Sequence, residues 1–362
     1  MKRLLLLLLL LPLACGGSDS PSSNTQLPTG PADGATDEPY EAVPAVTPDQ
    51  MPEGNTGLAA QYPGDTGIQD DPAVVFVETF EGLNISSSLQ NRWESVSNPQ
   101  LMSFDADIPA GSSGTQSLLV SHVGGPTTGG HLYRRLGNGY DKLYFRFYVK
   151  FDADANPIHH FVHMGGYSPS TAFPQGGAGG RPAGNERFTN GIEPHGGSWV
   201  WDHYAYWSRM RGSPPQGQTW GNSFLRDTAP DVGRGEWECI EVMMKMNDVG
   251  DSNGEMALWI NGSLQSYLGK GFPMGKWIYD KFNPGQGGSS VYWSDAQADG
   301  VNFTVPSEGI PFEGFRWRTT GQLNLNFFWL LVYITTSPAN KVTDVRFDDI
   351  VIATDYIGPI SQ

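Results

Sequence analysis

The feature that most constrains the fold is a pair of alternating apolar stretches joined by a short polar turn, within residues 235–262. One face of the first stretch carries Ile240, Val242, Met244 and Met246, and one face of the second carries Met256, Leu258 and Ile260. A period of two residues is that of a strand with one buried face. The connection NDVGDSNG supplies Asn, Asp and Gly, which tolerate the positive φ of tight turns. The segment therefore predicts a β-hairpin with one face in a hydrophobic core.

Similar strand patterns recur along the chain between Gly- and Pro-rich loops, and long helical periodicity is absent. The predicted strands are 74–80, 117–121, 142–151, 159–164, 199–207, 236–246, 255–261, 323–335 and 342–353. With 46 Gly, 27 Pro, 11 Trp, 14 Tyr and 18 Phe, the composition is that of an all-β protein. The part of the chain from Pro72 onwards, about 290 residues, is sufficient for one large β-sandwich.

The first 71 residues predict export and tethering rather than folding. A charged start, Met1-Lys2-Arg3, precedes a short Leu run that ends at Cys15, which is the pattern of a bacterial lipoprotein signal peptide over residues 1–14. Acylation of Cys15 would make it the only membrane attachment, in the bacterial outer membrane. Residues 15–71 are rich in Pro, Gly, Ser, Thr and Asp and predict a disordered linker, which leaves 72–362 as the folded domain.

The net charge excludes some classes of binding partner, and the cysteine content excludes an intramolecular disulfide. The formal net charge of −16 argues against nucleic acid as a partner and against electrostatic binding to anionic lipid. It also disfavours a polyanionic substrate unless basic residues are concentrated locally. The second cysteine, Cys239, lies in a predicted strand and is expected to be a buried, inert thiol, so the chain has no intramolecular disulfide.

The hairpin phrase, W-x-x-I-E, K-x-N, turn, G-x-x-x-x-W-I-N-G, resembles a hairpin of concanavalin A-like jelly rolls. That hairpin is especially frequent among secreted, glycan-acting proteins such as the family 14 polysaccharide lyases. The resemblance implies a jelly-roll β-sandwich and a carbohydrate-active protein. It implies cleavage of a uronic-acid-containing polysaccharide by β-elimination, with no required cofactor.

The segment 159–211 contains the residues that would carry this chemistry. β-Elimination needs a group that neutralises the uronate carboxylate, a base for the C5 proton and an acid for the leaving oxygen. The Tyr-x-Tyr of a WDHYAYW strand is similar to the active-site pair of those lyases, which implies that Tyr204 and Tyr206 are the acid/base pair. The resemblance further implies that Arg187 binds the carboxylate and that His160 or His163 stands where those lyases have a Lys. Their Ser-x-Arg element and that Lys are missing from this chain.

Several alternating faces predict contacts with a substrate. On the strand KLYFRFYVKF the face opposite the core carries Tyr144, Arg146, Tyr148 and Lys150, and we expect it to line a sugar-binding groove. Other predicted substrate contacts are Arg209, Arg316, Arg318, Asn324 and Asn326, with the Arg and Asn pairs forming a cleft floor.

The sequence contains two candidate metal sites, one of histidines and one of acidic residues. Strict alternation puts His159 and His163 on one face and His160 on the other, so a metal site would need a His pair and a distant ligand. The first and last predicted strands resemble the paired terminal strands of jelly-roll carbohydrate-binding modules, in which nearby acidic residues hold a structural calcium ion. The resemblance implies Glu78, Glu81 and Asp349 as the calcium ligands, and their carboxylates suit that ion.

Two other functions remain open. The E-x-E-x-x-E of Glu236, Glu238 and Glu241 is similar to the catalytic motif of family 16 glycoside hydrolases, whose carboxylates flank the scissile bond. Within the hairpin, however, Glu236 and Glu238 are expected to be outward surface acids. A glycan-binding protein without catalysis is the second alternative, and the overall acidity favours it.

Overall fold

The computed structural model describes residues 50–82, 84–85, 88–293 and 300–361. The strands are β1 Val74–Glu78, β2 Ser95–Ser97, β3 Met102–Asp105, β4 Ser117–Val123, β5 Gly129–Tyr140, β6 Lys142–Phe151, β7 Val162–Tyr167, β8 Arg187–Pro194, β9 Trp201–Tyr206, β10 Glu238–Lys245, β11 Glu255–Ile260, β12 Ser263–Leu268, β13 Met274–Ile278, β14 Lys281–Pro284, β15 Gly288–Tyr292, β16 Val301–Val305, β17 Ile310–Pro311, β18 Leu325–Tyr333 and β19 Val342–Ala353. A short helix, α1, spans Ser88–Arg92, and 3-10 turns cover Leu58–Gln61, Pro63–Asp65, Ile68–Asp70, Pro99–Leu101, Gly196–Ser198 and Arg226–Thr228. The predicted signal peptide, Cys15 and the first part of the predicted linker lie outside the described residues.

Two antiparallel sheets stack on each other. The outer sheet has the order β12-β11-β10-β6-β19-β4-β3, with β1 paired to β19, and the inner sheet has the order β2-β5-β18-β7-β8-β9. Aromatic side chains fill the space between them: the rings of Phe145 on β6 and Phe328 on β18 lie 6.1 Å apart, and those of Phe161 and Phe347 lie 5.4 Å apart. This is the all-β sandwich that the strand pattern predicts and the jelly-roll fold that the resemblance implies.

The predicted hairpin forms in the outer sheet. Strands β10 and β11 pair in a register that places Ile240 opposite Ile260, Val242 opposite Leu258 and Met244 opposite Met256. All six side chains belong to the core between the sheets. Cys239 points away from that core but is buried, and burial raises the pKa of its thiol to about 12, as expected for an inert cysteine.

The face of the outer sheet that points away from the inner sheet, the outer face, is covered by both ends of the domain. Tyr144, Met243, Trp259 and Tyr267 form a second hydrophobic cluster with Ala59, Ile68, Tyr356 and Ile357. The Nε1–H of Trp259 donates to the carbonyl of Pro52 at 2.8 Å. Residues 50–71 are therefore part of the folded domain, and the predicted linker boundary at residue 71 is wrong. The composition missed it because a few apolar side chains among polar ones are enough to cover a sheet.

This covering also overturns the groove predicted on β6. Arg146 is fully buried, forms an ion pair with Asp65 and donates to the carbonyl of Gly358 at 3.1 Å. The Tyr148 hydroxyl accepts the backbone N–H of Ile360 at 2.9 Å. Tyr144 is buried, as above, and Lys150 pairs with Asp107 at 2.6 Å. The four side chains share a face, as predicted, but three of them pack against the ends of the domain and Lys150 pairs with Asp107 of the connection between β3 and β4.

The predicted calcium ligands are engaged by protein groups instead. Glu78 is buried, accepts the N–H of Phe80 at 2.8 Å and the Nε1–H of Trp93 at 3.0 Å, and lies 3.1 Å from Arg92. Glu81 accepts hydrogen bonds from Thr115 and Gln116. Asp349 is buried, and its Oδ2 has no hydrogen-bond partner within the described residues. The carboxylate oxygens of the three acids do not all gather within 4.8 Å of one another in this part of the chain. The prediction failed because strand ends that pair can still direct their carboxylates to different partners.

Strands β13 to β17, which follow β12 in the chain, form a small third sheet of order β14-β13-β15-β16, with β17 paired to β13. Its Trp277 and Phe282 pack against Phe312 and belong to the same hydrophobic core as the two large sheets. Among the described residues, no helix has the length and apolar character needed to cross a membrane.

Candidate active site

Neighbouring strands of the inner sheet align a row of side chains on the face opposite the core. The pairing places His163 of β7 opposite Gly191 of β8, and Gly191 opposite Tyr204 of β9. The next row on the same face contains Thr189 opposite Tyr206. The intervening residues Phe188, Ile192 and Ala205 are buried in the core. Tyr204 and Tyr206 therefore share a face, as the period of two predicts.

These rows line a cavity of about 150 Å³, called here the cavity. Its walls are His160, His163, Tyr167, Gln175, Gly176, Gly177, Ala178, Arg187, Thr189, Tyr204, Tyr206, Trp329 and Leu331. All five predicted catalytic residues are among them. A neighbouring cavity of about 300 Å³ shares His160, Trp329 and Leu331 with it. The two together form an extended depression along the inner sheet, a shape that suits a chain-like ligand.

The position of His160 differs from the predicted alternation. The backbone N–H groups of His159 and His160 both donate to the carbonyl of Tyr333, at 2.8 and 3.2 Å, and regular pairing of β7 starts only at Val162. Phe161 and Val162 then both enter the core. As a result His160, not His159, lies beside His163, with ring centroids 5.9 Å apart. A local bulge of this kind reverses the side on which a residue lies.

A buried carboxylate connects the two histidines. Oε1 of Glu193 lies 2.8 Å from Nδ1 of His160 and 3.4 Å from Nε2 of His163. Burial would raise the pKa of Glu193, but hydrogen bonds from the two histidines outweigh it and lower this pKa to about 2. Burial also lowers the pKa of His163. The group thus combines an ionised carboxylate with an imidazole that favours its neutral form.

The two tyrosines are positioned for proton transfer. Their hydroxyl oxygens lie 3.5 Å apart, and the ring of His160 lies 5.1 Å from that of Tyr204. Burial, followed by the neighbouring Tyr206, raises the pKa of Tyr204, which holds its proton firmly. The guanidinium of Arg187 lies 5.4 Å from the ring centroid of Tyr206.

Arg187 also organises the loop that forms one wall of the cavity. Its Nη2 donates to the carbonyl of Gly177 at 3.0 Å and to that of Gly180. Opposite it in the sheet register, Tyr167 has its backbone N–H and C=O bonded to the side chain of Asn326, at 3.0 and 2.8 Å. Arg187 therefore has a structural role in addition to any contact with a ligand.

The remaining predicted substrate contacts lie outside the cavity walls. Arg318 is nearly buried, pairs with Asp141 at 2.7 Å and bonds to Asn324. Arg316 is in an irregular segment, Arg209 is exposed, and Asn326 reaches the site only through Tyr167. The predicted cleft floor of two Arg and two Asn is wrong, because residues 316–318 belong to no strand and Arg318 instead holds the turn at Asn247.

The E-x-E-x-x-E carboxylates do not form a hydrolase site. Glu238 is buried and accepts the Nε1–H of Trp201 at 3.1 Å. Glu241 is buried and accepts the backbone N–H groups of Ile357 and Gly358, both at 2.8 Å. Glu236 is exposed, as expected, whereas the expectation that Glu238 is a surface acid is wrong.

Sequence reasoning missed Glu193, Thr189, Tyr167 and Trp329. The signal for two of them lies in the segment RFTNGIEP, which forms β8 but was not predicted as a strand. Once it is treated as a strand, the period of two places Arg187, Thr189, Gly191 and Glu193 on one face. Asn, Gly and Pro conceal that pattern because they are rare in strands.

Comparisons with known proteins were made at three levels. No protein-family model matches the chain, and a search of curated proteins found no match either. Among solved structures, a PL-14 alginate lyase from Aplysia kurodai is 13% identical over 78% of this chain and 99% of its own, with a TM-score of 0.49. The alginate lyase vAL-1 from Chlorella virus is 14% identical over 78% of this chain and 99% of its own, with a TM-score of 0.46. A glucuronan lyase from Trichoderma reesei is 13% identical over 78% of this chain and 95% of its own, with a TM-score of 0.40. Similarity at these values carries no inference about the cavity.

Proposed function

We propose that the protein is a polysaccharide lyase that cleaves a uronic-acid-containing polysaccharide by β-elimination within the cavity. The observation that supports this most is the convergence of the Tyr204–Tyr206 pair, Arg187 and the Glu193-linked histidines on one face of the inner sheet. This convergence joins a proton-transfer pair to a concentration of basic groups. Arg187 supplies a fixed positive charge for an acidic substrate in a chain of net charge −16.

The residues divide the reaction between them. Arg187 and the two histidines bind the C6 carboxylate and withdraw charge, which acidifies the proton on C5. Tyr206, which lies beside Arg187, acts as the base and takes that proton, a C4–C5 double bond forms, and the bond from C4 to the glycosidic oxygen breaks. Tyr204, which retains its proton, donates it to the departing oxygen. The products are a new reducing end and an unsaturated non-reducing-end sugar.

The short distance between the hydroxyls favours one stereochemical course. With the two oxygens 3.5 Å apart, the base and the acid both approach the sugar from one side. The proton on C5 and the oxygen on C4 must then lie on the same side of the ring. D-Mannuronate and D-glucuronate units meet this condition, whereas L-guluronate and D-galacturonate units do not.

The test is a matched panel of four polymers: polymannuronate, glucuronan, polyguluronate and polygalacturonate. Ultraviolet absorbance of the unsaturated product measures elimination directly, and a hydrolase produces none. We expect absorbance to rise with one or both of the first two polymers and to stay flat with the others. Flat traces with all four, while a glycan array still shows binding, would contradict the lyase assignment.

A glycan-binding protein without catalysis is the second candidate. It is favoured by the engagement of Arg187 with loop carbonyls and by the aromatic walls Tyr167 and Trp329, since aromatic rings bind sugars by stacking without any reaction. The two candidates predict the same binding and differ in whether the bound polymer becomes shorter.

The site of action is proposed from the N-terminal residues alone. Acylation of Cys15 would place the lyase on the bacterial outer membrane, where long polysaccharides are accessible. Fatty-acid labelling of the wild-type chain and of Cys15→Ser in a bacterial host checks this. Equal labelling of the two would contradict the anchor and leave the proposed reaction untouched.

A further inference from the structure

We propose that His160, His163 and Glu193 bind one divalent transition-metal ion, with Zn²⁺ as the representative ion. The site would use Nδ1 of His160, Nε2 of His163 and Oε1 of Glu193. Within the described residues these three are the one set of His, Cys, Asp or Glu side chains whose ligand atoms gather this closely, all within 4.8 Å of one another. The binding itself does not depend on the proposed lyase function; only its role does.

The spacing of the donor atoms fits a small ion. Zinc bonds to nitrogen and oxygen are about 2.0 to 2.2 Å long and tetrahedrally arranged, which separates neighbouring ligand atoms by about 3.3 Å. Oε1 of Glu193 lies 2.8 Å from the His160 nitrogen and 3.4 Å from the His163 nitrogen. Small rotations of the side chains would open the shorter distance as an ion replaces the shared proton.

His163 gives an independent reason to expect a ligand. The side chain is more than nine-tenths buried, and within the described structure neither ring nitrogen has a hydrogen-bond partner of good geometry. An unpartnered buried polar group destabilises a protein by about 1 to 3 kcal/mol, so such groups usually mark a function. An ion bound at Nε2 would satisfy the nitrogen that faces Glu193.

Space for the ion exists because β8 has a glycine between the donors. A Cβ atom on Gly191 would lie 3.0 Å from Cε1 and Nε2 of His163 and 3.2 Å from Oε1 of Glu193. Any larger residue would therefore press on the two donors. Three protein ligands leave a fourth position for a solvent molecule or a substrate oxygen, as in catalytic zinc sites.

The ligand types select the class of ion. Two imidazoles and one carboxylate suit Zn²⁺, Co²⁺, Ni²⁺ or Cu²⁺, whereas Ca²⁺ and Mg²⁺ prefer oxygen ligands throughout. Because both histidines line the cavity with the two tyrosines, the ion would hold a substrate carboxylate beside them. It would thereby reinforce the charge supplied by Arg187.

The binding test needs no polysaccharide. Full-length protein is dialysed against a chelator and then titrated with ZnCl2 by calorimetry, and with CoCl2 by visible absorption, which reports tetrahedral coordination. His163→Ala and Glu193→Gln each remove one ligand. His131→Gln is the matched control, since His131 lines the neighbouring cavity and bonds to Ser95 but is not one of the three donors.

We expect one Zn²⁺ per wild-type chain, an affinity at least tenfold weaker in Glu193→Gln and His163→Ala, and unchanged affinity in His131→Gln. Gly191→Ala should also weaken binding while all three ligands stay in place. Absence of binding by the wild-type chain at millimolar zinc would overturn the proposal, and so would equal affinity in Glu193→Gln. Zinc binding without elimination would contradict the lyase alone, whereas elimination by a chain that binds no zinc would contradict the metal site alone.

Discussion

The outer face of the outer sheet and the cavity face of the inner sheet have similar sequence patterns, but the first is covered by other parts of the protein and the second lines a cavity. Each alternates Tyr and basic residues with core residues: Tyr144, Arg146 and Tyr148 on one, and Arg187, Tyr204 and Tyr206 on the other. On the outer face these groups are covered by residues 50–71 and 354–361. On the inner face they line a cavity.

The difference shows in how the polar atoms are used. On the outer face both terminal nitrogens of Arg146 and the indole nitrogen of Trp259 have protein partners. On the cavity face, Nδ1 of His163 and the indole nitrogen of Trp329 have none within the described structure, and Nε2 of His163 has only Glu193, at 3.4 Å and without good hydrogen-bond geometry. Nε of Arg146 is an exception on the outer face, since it has no partner within the described structure. A buried imidazole without close partners is a functional signal, whereas groups bonded to the protein's own chain indicate stability.

The largest expected effect separates two tyrosines. Tyr206→Phe should lower kcat/KM for elimination by about 10²- to 10⁴-fold, because it removes a proton-transfer group. Tyr148→Phe should leave elimination unchanged and lower the free energy of unfolding by about 1 kcal/mol, since the Ile360 N–H loses its acceptor. Product absorbance and urea unfolding check the pair, and equal rates for Tyr206→Phe and the wild type would show that the base is misassigned.

Replacing Arg146 should mainly affect stability, whereas replacing Arg187 should mainly affect elimination. Arg146→Met leaves the buried Asp65 carboxylate without its partner and should lower the free energy of unfolding by about 3 to 5 kcal/mol. Arg187→Met should affect unfolding much less but reduce elimination strongly. Chemical denaturation of both variants measures the contrast. Comparable stability losses would mean that the two faces are equally structural.

The stability of the fold should depend on pH because His203 is buried on the core side of the inner sheet. Burial lowers the pKa of His203 to about 3 from its ordinary value of 6.5. Between these two pH values the unfolded chain binds more protons than the folded chain does. The stabilisation of the folded state by neutral His203 is therefore complete above pH 6.5 and is lost as the pH falls toward 3. The slope from one such group is about 1.4 kcal/mol per pH unit at most.

His203→Gln should flatten the dependence on pH between 6.5 and 4 in urea unfolding experiments. Gln keeps an acceptor for the Asn190 side chain, which lies 3.2 Å from Nδ1 of His203. An unaltered slope in this variant would assign the acid sensitivity to other groups.

The smallest expected effect distinguishes two tryptophans. Trp259→Phe loses the hydrogen bond to the Pro52 carbonyl and should lower the free energy of unfolding by about 1 kcal/mol. Trp329→Phe loses no such bond and should be neutral for stability, while weakening the binding of oligosaccharides. Thermal unfolding and a binding titration measure the two effects, and a destabilised Trp329→Phe would reveal an undetected partner.

Alternation in the sequence predicted much of the fold. The bounds of β6 and β19 agree with the predicted strands, and β10 and β11 form the predicted hairpin, because long half-buried strands have a regular period. β8 was missed because Asn, Gly and Pro weaken its pattern, although one of these residues, Gly191, leaves room for the side chains of His163 and Glu193.

The candidate site was predictable in its residues but not in its geometry. The shared face of Tyr204 and Tyr206 follows from the period of two, whereas the roles suggested for this pair and for Arg187 follow from the resemblance. The approach of His160 to His163 depends on a bulge at Phe161, and Glu193 reaches them only through the pairing of β7 with β8. Whether a polar face is covered, as at Arg146, depends on distant chain ends, which periodicity does not contain.

The most direct test of the central claim, that the open face of the inner sheet binds and cleaves an acidic polysaccharide, is a crystal structure of Tyr206→Phe with a mannuronate or glucuronate tetrasaccharide. The account predicts a sugar in the cavity, with its carboxylate beside Arg187, His160 or His163 and its C5 proton facing residue 206. A sugar bound elsewhere on the chain, with the cavity free of it, would contradict the account.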